Sequence, residues 1–279
     1  MLLVLLIGAL FAAHSVPAAT TEGTYVALGD SYTAGWGVTP LAPSAPPECG
    51  QSAADYPHLV AAALGLSLTD VSCRGADTED LIVAQSGAQP AQLGALTPST
   101  DYVSLSIGGN DEDLFGAILE GCDEIDAGRP DEGAPCAGAL EGFVVAGAKV
   151  VAEEESLALA DIHYLSPHAQ VFVVGYPEIT PGSGYCPSAI PWTTGDLAWF
   201  RRAFEMRLNN LIRREARAAH AVFVNTFSPE GHNACTAAAE RWIEPLSGSL
   251  TGIPMHPNAL GEQHEATDLE RAMKNYGVL

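Results

Sequence analysis

The apolar residues of this chain fall into short runs that alternate with longer stretches of helical spacing. A run of about 4–8 apolar or alternating residues bounded by turn residues predicts a strand, whereas apolar residues three and four positions apart predict a helix. Strands are predicted at 25–28, 66–71, 101–107, 169–175 and 221–225. Helices are predicted at 56–64, 81–85, 140–165, 196–219 and in the segment that ends at 272.

This order predicts one α/β domain built on a parallel sheet, because parallel neighbours need a crossover connection between them. No repeat, low-complexity tract or linker interrupts the order. The strand at 66–71 alternates apolar and polar residues, as a strand at the edge of a sheet does. Ligands bind such sheets at the carboxyl ends of the strands, so the residues directly after each strand are the first candidates for a functional site.

Ser31 follows the first strand, in the sequence Gly29-Asp30-Ser31-Tyr32. A serine hydroxyl in this position can be a nucleophile if a base takes its proton and donors receive the developing oxyanion. A serine that caps a following helix would have the same sequence context. Ser31 alone therefore does not decide between the two interpretations.

Two further loops after strands contain possible oxyanion donors. Asn110 follows two glycines after the strand 101–107, and those glycines permit a tight turn that brings its carboxamide near a ligand. Gly75 lies in the loop after 66–71, where it can present a backbone N–H at the start of a helix. Ordinary turn roles remain the alternative for both residues.

His256 is the candidate base. It stands between Pro254 and Pro257, directly before the last predicted helix, so we expect its imidazole to leave a loop rather than enter the core. An ordinary histidine pKa of about 6.5 allows the ring to accept and return a proton near neutral pH. A surface histidine without a catalytic role is the alternative.

Composition narrows the possible partners. The 279 residues contain 12 Lys and Arg against 34 Asp and Glu, a formal charge of -22, and 47% of them are hydrophobic. Such a charge repels nucleic acid and anionic bilayers, while the apolar content is sufficient for a large core. We therefore expect no nucleic-acid partner. The acidic segment 112–136 lacks EF-hand spacing and is interpreted as a solvated excursion rather than a calcium site.

The apolar segment MLLVLLIGALFAA at residues 1–13 precedes small residues, which indicates a signal peptide cleaved near Ala18 or Ala19. The segment is short for a membrane span. It lacks the basic residues expected in front of it, so an N-terminal membrane anchor or a start inside a longer signal remains open. Removal of residues 1–19 would leave a single secreted domain at 20–279.

Six cysteines support export, because an even number in an exported chain usually means disulfides. Many pairings are possible for six cysteines, and sequential pairing closes the smallest loops. The bridges expected on this basis are Cys49–Cys73, Cys122–Cys136 and Cys186–Cys235.

Four motifs occur in order along the chain: Gly-Asp-Ser-Tyr at 29–32, Gly75 in its loop, Ile-Gly-Gly-Asn-Asp at 107–111 and His-Pro-Asn at 256–258. Together they resemble the GDSL or SGNH hydrolases, specifically the secreted actinomycete lipases and esterases. The order, the spacing and the six cysteines agree over nearly the whole expected mature chain. The resemblance implies a flavodoxin-like three-layer α/β/α sandwich with a five-stranded parallel sheet.

The resemblance also implies the roles of the site residues. Ser31 would attack an ester carbonyl, and His256 would act as general base and then as general acid. The oxyanion hole would consist of the N–H of Ser31, the N–H of Gly75 and the side chain of Asn110. No cofactor or metal takes part in this chemistry.

One position departs from the commoner pattern of the family. Many members have an aspartate three residues before the histidine, where this chain has Ile253. Some similar actinomycete members use a backbone carbonyl there, and Pro254 would hold Ile253 in an extended conformation. We therefore predict a serine–histidine dyad in which the Ile253 carbonyl accepts from Nδ1 of His256. Glu244 and Glu262 are the nearest acids, but neither has the expected spacing.

The sequence constrains the substrate less than the reaction. Loop residues Trp36, Phe115, Ile190 and Trp192 are candidates for an apolar acyl site, which would favour lipid or aryl esters, and ordinary anchoring of their loops is the alternative. A carbohydrate acetylesterase or phospholipase of the same family, and a non-catalytic secreted binding module, are the alternatives. Retention of both reactive side chains argues against the binding module. We expect a monomer that makes at most transient contact with a lipid interface.

Overall fold

Five parallel strands form one sheet in the order β2-β1-β3-β4-β5. The strands are β1 (Thr24–Gly29), β2 (Ser67–Asp70), β3 (Tyr102–Ser106), β4 (Gln170–Val174) and β5 (Val222–Val224). From β1 the chain adds β2 on one side of the sheet and then β3, β4 and β5 on the other. The strand order therefore reverses between β1 and β3, and such a switch point opens a crevice at the carboxyl ends of these two strands. The computed structural model describes residues 23–85, 89–127, 129, 133–227, 230–251 and 253–278, so the expected signal peptide at 1–19 lies outside the described residues.

Helices cover both faces of the sheet. In the described ranges they are α1 (Tyr56–Leu64), α2 (Leu114–Asp126), α3 (Pro135–Leu165), α4 (Thr194–Trp199), α5 (Met206–Ala218) and α6 (Ala259–Asn275). A π-helical segment, Phe200–Glu205, joins α4 to α5. By length and composition α3 would fit a membrane span, but its residues Val144, Val151 and Leu159 lie in the core against the sheet.

The strands send alternate side chains into two apolar layers, as the period of a strand requires. In β1, Val26 and Leu28 join the larger core under α2 to α5, whereas Tyr25 and Ala27 join the smaller core under α1 and α6. These two layers with the sheet between them confirm the three-layer sandwich that the resemblance implies.

All three predicted disulfides are present. Cys49 is bonded to Cys73, Cys122 to Cys136 and Cys186 to Cys235. The first bridge joins the loop before α1 to the loop after β2, and the second joins α2 to the start of α3. A disulfide stabilises a fold mainly by restricting the unfolded chain.

Three local expectations were wrong. The helix predicted at 81–85 does not form, because a 3-10 helix, Glu79–Leu81, ends where that helix was expected to begin. The acidic segment 112–136 is not an irregular excursion, because α2 occupies its first half and buries Leu114, Phe115 and Ile118. The helix expected to begin with Asp196 as its cap begins earlier, since Thr193 is the cap and its side chain accepts from the Asp196 N–H. In the segment 112–136 the packing of apolar side chains outweighs the local polar pattern. The Asp196 carboxylate does not cap its own helix, because it accepts from the N–H groups of Cys136 and Ala137.

Candidate active site

Ser31 lies in a tight turn at the carboxyl end of β1. Gly29 makes this turn possible: a Cβ at this residue would lie 2.1 Å from Thr33 Oγ1 and 2.6 Å from the Ser106 carbonyl oxygen. The Gln92 side chain pairs with both backbone groups of Gly29, accepting from its N–H at 2.8 Å and donating to its carbonyl at 3.0 Å. The chain therefore leaves the sheet abruptly and presents Ser31 at the crevice.

His256 is in direct contact with Ser31. Its Nε2 lies 2.8 Å from Ser31 Oγ, and its Nδ1 lies 2.8 Å from the carbonyl oxygen of Pro254. A carbonyl oxygen only accepts hydrogen bonds, so the hydrogen of the neutral ring belongs on Nδ1, and Nε2 is left to accept from the serine hydroxyl. This is the tautomer that a general base acting on Ser31 requires.

The carbonyl that orients His256 is that of Pro254, so the expectation that Ile253 supplies it was wrong. Met255 has a φ of +60°, a left-handed conformation that is uncommon for a residue other than glycine. This conformation turns the chain back on itself, and the carbonyl two residues before His256 then faces the ring. The Ile253 carbonyl accepts from Thr251 Oγ1 at 3.5 Å instead.

Hydrogen bonds hold the turn around Met255 on two sides. The Tyr32 hydroxyl donates to the Met255 carbonyl at 2.5 Å, and the Met255 N–H donates to the Glu244 carbonyl at 2.9 Å. Because Tyr32 is adjacent to Ser31, the first of these bonds also ties the nucleophile turn to the histidine loop.

No carboxylate among the described residues contacts the His256 ring. The Glu244 carboxylate accepts from Asn258 Nδ2 at 3.1 Å, and the Glu262 carboxylate accepts from the Tyr56 N–H at 2.8 Å. Both acids that lie nearest to His256 in the sequence therefore have other partners. The geometry is that of a dyad completed by a backbone oxygen.

Aromatic side chains surround the His256 ring. Its centroid lies 4.9 Å from that of Tyr32, 5.3 Å from that of Trp36 and 5.8 Å from that of Phe115. Burial in this apolar setting lowers the pKa of His256 to about 4, and the hydrogen bond to Pro254 opposes that change only partly. The ring is therefore neutral at pH 7 and can accept a proton from Ser31.

Asn110 and the Gly75 loop lie side by side. Asn110 Nδ2 donates one hydrogen to the Ala76 carbonyl at 2.9 Å, which leaves its second hydrogen for a ligand. Gly75 has a φ of +75°, and within the described parts of the chain its N–H and that of Ser31 have no acceptor. These are the three donor groups that the sequence predicted for an oxyanion hole.

Further hydrogen bonds fix the turn after β3 that carries Asn110. Thr78 donates to the Asp111 carboxylate from its N–H and its hydroxyl, both at 2.9 Å. The Tyr176 hydroxyl accepts from the Gly109 N–H at 3.0 Å and donates to Asp30 Oδ2 at 2.5 Å. The turns after β1, β2 and β3 are thus held together by side chains.

Tyr176 and Asp30 were not identified by the sequence analysis as site residues. Tyr176 comes almost directly after β4, so the rule that points to strand ends could have found it. Burial raises the pKa of Asp30 to about 7, although the hydrogen bond from Tyr176 opposes the change. The hydrogen bond between the Tyr176 hydroxyl and the Asp30 carboxyl group holds together the turns on either side of the crevice.

A narrow apolar cleft extends from Ser31 and Asn110 between the helices of the larger core layer. Its apolar wall consists of Phe115, Ile179, Phe204 and Leu208. Phe115 and Phe204 stack with their centroids 6.1 Å apart. The apolar lining next to the serine favours the acyl part of an ester over its polar parts.

The residues expected to form the acyl site separate into two groups. Phe115 lines the cleft, and Trp36 lies against His256 with the Arg74 guanidinium 4.9 Å from its ring centroid. Ile190 and Trp192 are fully buried in the core, where Trp192 packs edge-on against Phe200. The expectation that these two residues contact the substrate was therefore wrong.

This chain is similar in sequence and in fold to known lipases and acylhydrolases. The model of the GDSL-like Lipase/Acylhydrolase family matches residues 27–264. The chain is 40% identical to Lipase 2 of Streptomyces coelicolor over 263 residues, which cover 91% of this chain and 87% of that protein. It resembles the crystal structure of phospholipase A1 from Streptomyces albidoflavus NA297, with a TM-score of 0.72, 27% identity and coverage of 91% of this chain and 99% of that one.

The extracellular lipase from Streptomyces rimosus is equally similar in structure, with a TM-score of 0.72, 25% identity and the same coverage of both chains. The family match begins within β1, just before Ser31, and ends beyond His256. It therefore spans every residue of the candidate site. The chain belongs to the GDSL-like lipase/acylhydrolase family and is a carboxylic ester hydrolase.

Proposed function

We propose that the chain is a secreted lipase or esterase that cleaves its substrate through an acyl-enzyme on Ser31. One observation carries this proposal: the continuous hydrogen-bond path from Ser31 Oγ through the His256 ring to the Pro254 carbonyl, at the mouth of an apolar cleft. The path supplies a nucleophile, a base and a fixed tautomer, and the cleft supplies a place for the acyl group.

In the first half of the reaction, Ser31 Oγ attacks the ester carbonyl carbon while its proton moves to His256 Nε2. The resulting oxyanion accepts hydrogen bonds from the N–H groups of Ser31 and Gly75 and from Asn110 Nδ2. The intermediate then breaks its bond to the alcohol oxygen, which takes the proton from Nε2 and leaves. Ser31 is left acylated and His256 is neutral again.

In the second half, a water molecule attacks the acyl-enzyme and gives its proton to Nε2. The second oxyanion uses the same three donors, and its collapse releases the carboxylic acid as the proton returns to Ser31 Oγ. Because Nδ1 faces a neutral carbonyl rather than a carboxylate, most of the stabilisation of the charged ring must come from the oxyanion itself. The oxyanion donors are therefore central to the rate.

The apolar wall of the cleft favours an acyl chain over a heavily polar group, which supports lipid esters over carbohydrate acetates. The similarity to a phospholipase A1 and to two lipases supports the same substrate class. The formal charge of -22 opposes contact with anionic interfaces, so neutral or zwitterionic lipids are the better substrates. Leu250 and Ile82, which are 76% and 63% exposed near the histidine loop and the Gly75 loop, would support transient contact with such an interface.

Three disulfides and the similarity to an extracellular lipase support secretion into an oxidising compartment. The dyad and the three oxyanion donors all belong to one chain, so the proposed mechanism does not require a second copy.

The test is an assay of the purified protein on p-nitrophenyl esters from acetyl to palmitoyl and on phosphatidylcholine vesicles. Ser31→Ala should lower kcat/KM by at least about 10⁴-fold. Ser156→Ala, which changes an exposed serine on α3, is the matched control and should behave as wild type. The optimal chain length separates an esterase from a lipase, and release of fatty acid from phosphatidylcholine indicates a phospholipase. Equal turnover by wild type and Ser31→Ala would contradict the proposal.

A further inference from the structure

A second cluster of polar side chains lies where β2 ends beside the first turn of α1. Asp55, His58 and Asp70 each contribute one nitrogen or oxygen atom, and these atoms lie within 4.8 Å of one another. His58 Nδ1 is 2.7 Å from Asp55 Oδ1 and 3.7 Å from Asp70 Oδ2. None of these side chains belongs to the dyad, the oxyanion donors or the apolar cleft.

Protein donors occupy one oxygen of each carboxylate. Asp55 Oδ1 caps α1 by accepting from the His58 N–H at 2.9 Å. Asp70 Oδ1 accepts from the Ser72 hydroxyl at 2.7 Å and from Gln51 Nε2 at 3.2 Å. Within the described residues, the Oδ2 atoms of Asp55 and Asp70 are buried and accept no hydrogen bond. Each carboxylate thus has one oxygen held in place by N–H or O–H donors and one oxygen without such a donor. The two carboxyl groups lie within hydrogen-bond distance of each other, so either a shared proton or a cation can join them.

The charge of this cluster is not balanced by the protein. The side chains of Asp55 and Asp70 are 0% and 3% exposed, and a single imidazole neutralises at most one of the two carboxylates. The buried carboxylate of Glu262 lies nearby, since it accepts from the N–H of Tyr56, the residue after Asp55. Burial of unpaired carboxylates is unfavourable, so the cluster requires either an extra proton or a cation.

We propose that Asp55, His58 and Asp70 form a binding site for a first-row divalent cation, for which Zn²⁺ is the best match. The ligands are Asp55 Oδ2, Asp70 Oδ2 and His58 Nδ1. One imidazole nitrogen with two carboxylate oxygens is a donor set that Zn²⁺ accepts, with water as a fourth ligand. Ca²⁺ requires six to eight oxygen ligands and fits this set poorly.

Access and orientation support the same assignment. The His58 side chain is 32% exposed, so an ion and its water ligand can enter from that side, whereas both carboxylates are enclosed. Ser72 and Gln51 already hold the Asp70 carboxylate, which is the kind of support that ligands of a metal ion usually have. On binding, Nδ1 gives up its hydrogen to solvent and turns from Asp55 Oδ1 to the metal. The ion would join the end of β2 to the start of α1 and stabilise the fold without a part in ester hydrolysis.

The test uses the intact protein after removal of metals with a chelator, titrated with ZnCl2 in a calorimeter and in thermal melts. Wild type should bind one Zn²⁺ per chain with micromolar or tighter affinity, and its melting temperature should rise by several degrees because the ion binds only the folded state. His58→Gln should bind at least about 10-fold more weakly and show no such rise. His168→Gln, which removes an exposed histidine away from the cluster, is the matched control and should bind as wild type.

A second measurement does not depend on variants. Crystals soaked in ZnCl2 should show an anomalous peak at the zinc absorption edge between Asp55, His58 and Asp70. Turnover of a soluble p-nitrophenyl ester should be the same for wild type and His58→Gln, which separates this site from the catalytic one. Absence of binding, equal binding by His58→Gln, or an anomalous peak only at other positions would each overturn the proposal.

Discussion

Two histidines at the carboxyl-terminal edge of the sheet have opposite surroundings. His256 is enclosed by aromatic rings and faces a neutral carbonyl, so burial lowers its pKa. His58 is half-buried beside two carboxylates, and its hydrogen bond with Asp55 raises its pKa. A base in ester hydrolysis must be neutral and must face its nucleophile, whereas a ring beside carboxylates attracts either a proton or a metal ion. Neighbouring charges, rather than residue type, therefore separate the two roles.

The largest expected effect is the difference in activity between a variant without the His256 imidazole and a variant without the His58 imidazole. His256→Ala should lower kcat/KM on a p-nitrophenyl ester by at least about 10⁴-fold, because Ser31 then loses its base. His58→Ala should leave the value within about 2-fold of wild type, since its ring does not touch the reacting atoms. Initial-rate kinetics on both variants measure the contrast, and similar losses in the two would remove the distinction.

The next effect concerns the side-chain donor of the oxyanion hole, Asn110. Asn110→Ala should lower kcat by about 10²- to 10³-fold, because the lost hydrogen bond acts mainly in the transition state. The melting temperature should fall by only about 2–4 °C, because the hydrogen bond to the Ala76 carbonyl is lost as well. Kinetics combined with a thermal melt check both points, and a variant that loses stability while keeping its rate would assign Asn110 to the turn alone.

The pH profile measures the surroundings of His256 directly. The base must be neutral, so activity is lost as pH falls through its pKa, and a pKa lowered to about 4 moves this loss far below its usual position. The change in kcat/KM between pH 7 and pH 5 should be below about 2-fold, whereas an ordinary pKa of about 6.5 would give about a 25-fold loss. Circular dichroism at pH 5 provides the control for folding. An inflection near pH 6.5 would contradict the prediction.

A smaller effect is expected from the bond that joins the two sides of the crevice. Tyr176→Phe removes the hydroxyl between Gly109 and Asp30, so a buried N–H and a buried carboxyl oxygen lose their partner. The free energy of unfolding should fall by about 1–3 kcal/mol, as measured by urea denaturation. The rate should fall by roughly 10-fold as the donor turn shifts. An unchanged rate with an unchanged stability would show that this bond has no positioning role.

The smallest effect is expected at Ile253. Ile253→Ala should keep kcat within about 2-fold of wild type, because the acceptor for Nδ1 is the Pro254 carbonyl and the substitution leaves the backbone in place. The measurement is the same ester assay, with His256→Ala as the inactive reference. A large loss of kcat would assign a role to the Ile253 side chain that its position does not explain.

Strand ends account for most of what the sequence predicted correctly. Ser31 and Asn110 each follow an apolar run within a few residues, and a parallel sheet brings the ends of β1 and β3 to the same edge. The three disulfides could be predicted because each bridge joins two cysteines that are consecutive along the chain. The disulfides depend on the order of the cysteines along the chain, and the positions of Ser31 and Asn110 depend on the alignment of strand ends in a parallel sheet.

The errors depend on backbone conformation and on packing between distant segments. Nothing in the residue type of Met255 indicates a φ of +60°, so the acceptor for His256 was assigned to the wrong carbonyl. Ile190 and Trp192 occur in a loop, and only the folded chain shows that they are buried beneath it. Asp55, His58 and Asp70 have no motif spacing, because β2 brings the third residue to the other two only in three dimensions.

The hydrogen bond from His256 to Pro254 has a consequence for how such a site is inherited. A carboxylate partner is lost by one substitution, whereas every amino acid carries a main-chain oxygen. The identity of residue 254 can therefore drift, provided that residue 255 keeps its left-handed conformation. Related chains with this arrangement would share no acid before their histidine. A search by residue type for a third catalytic side chain would therefore miss the main-chain oxygen that orients the histidine.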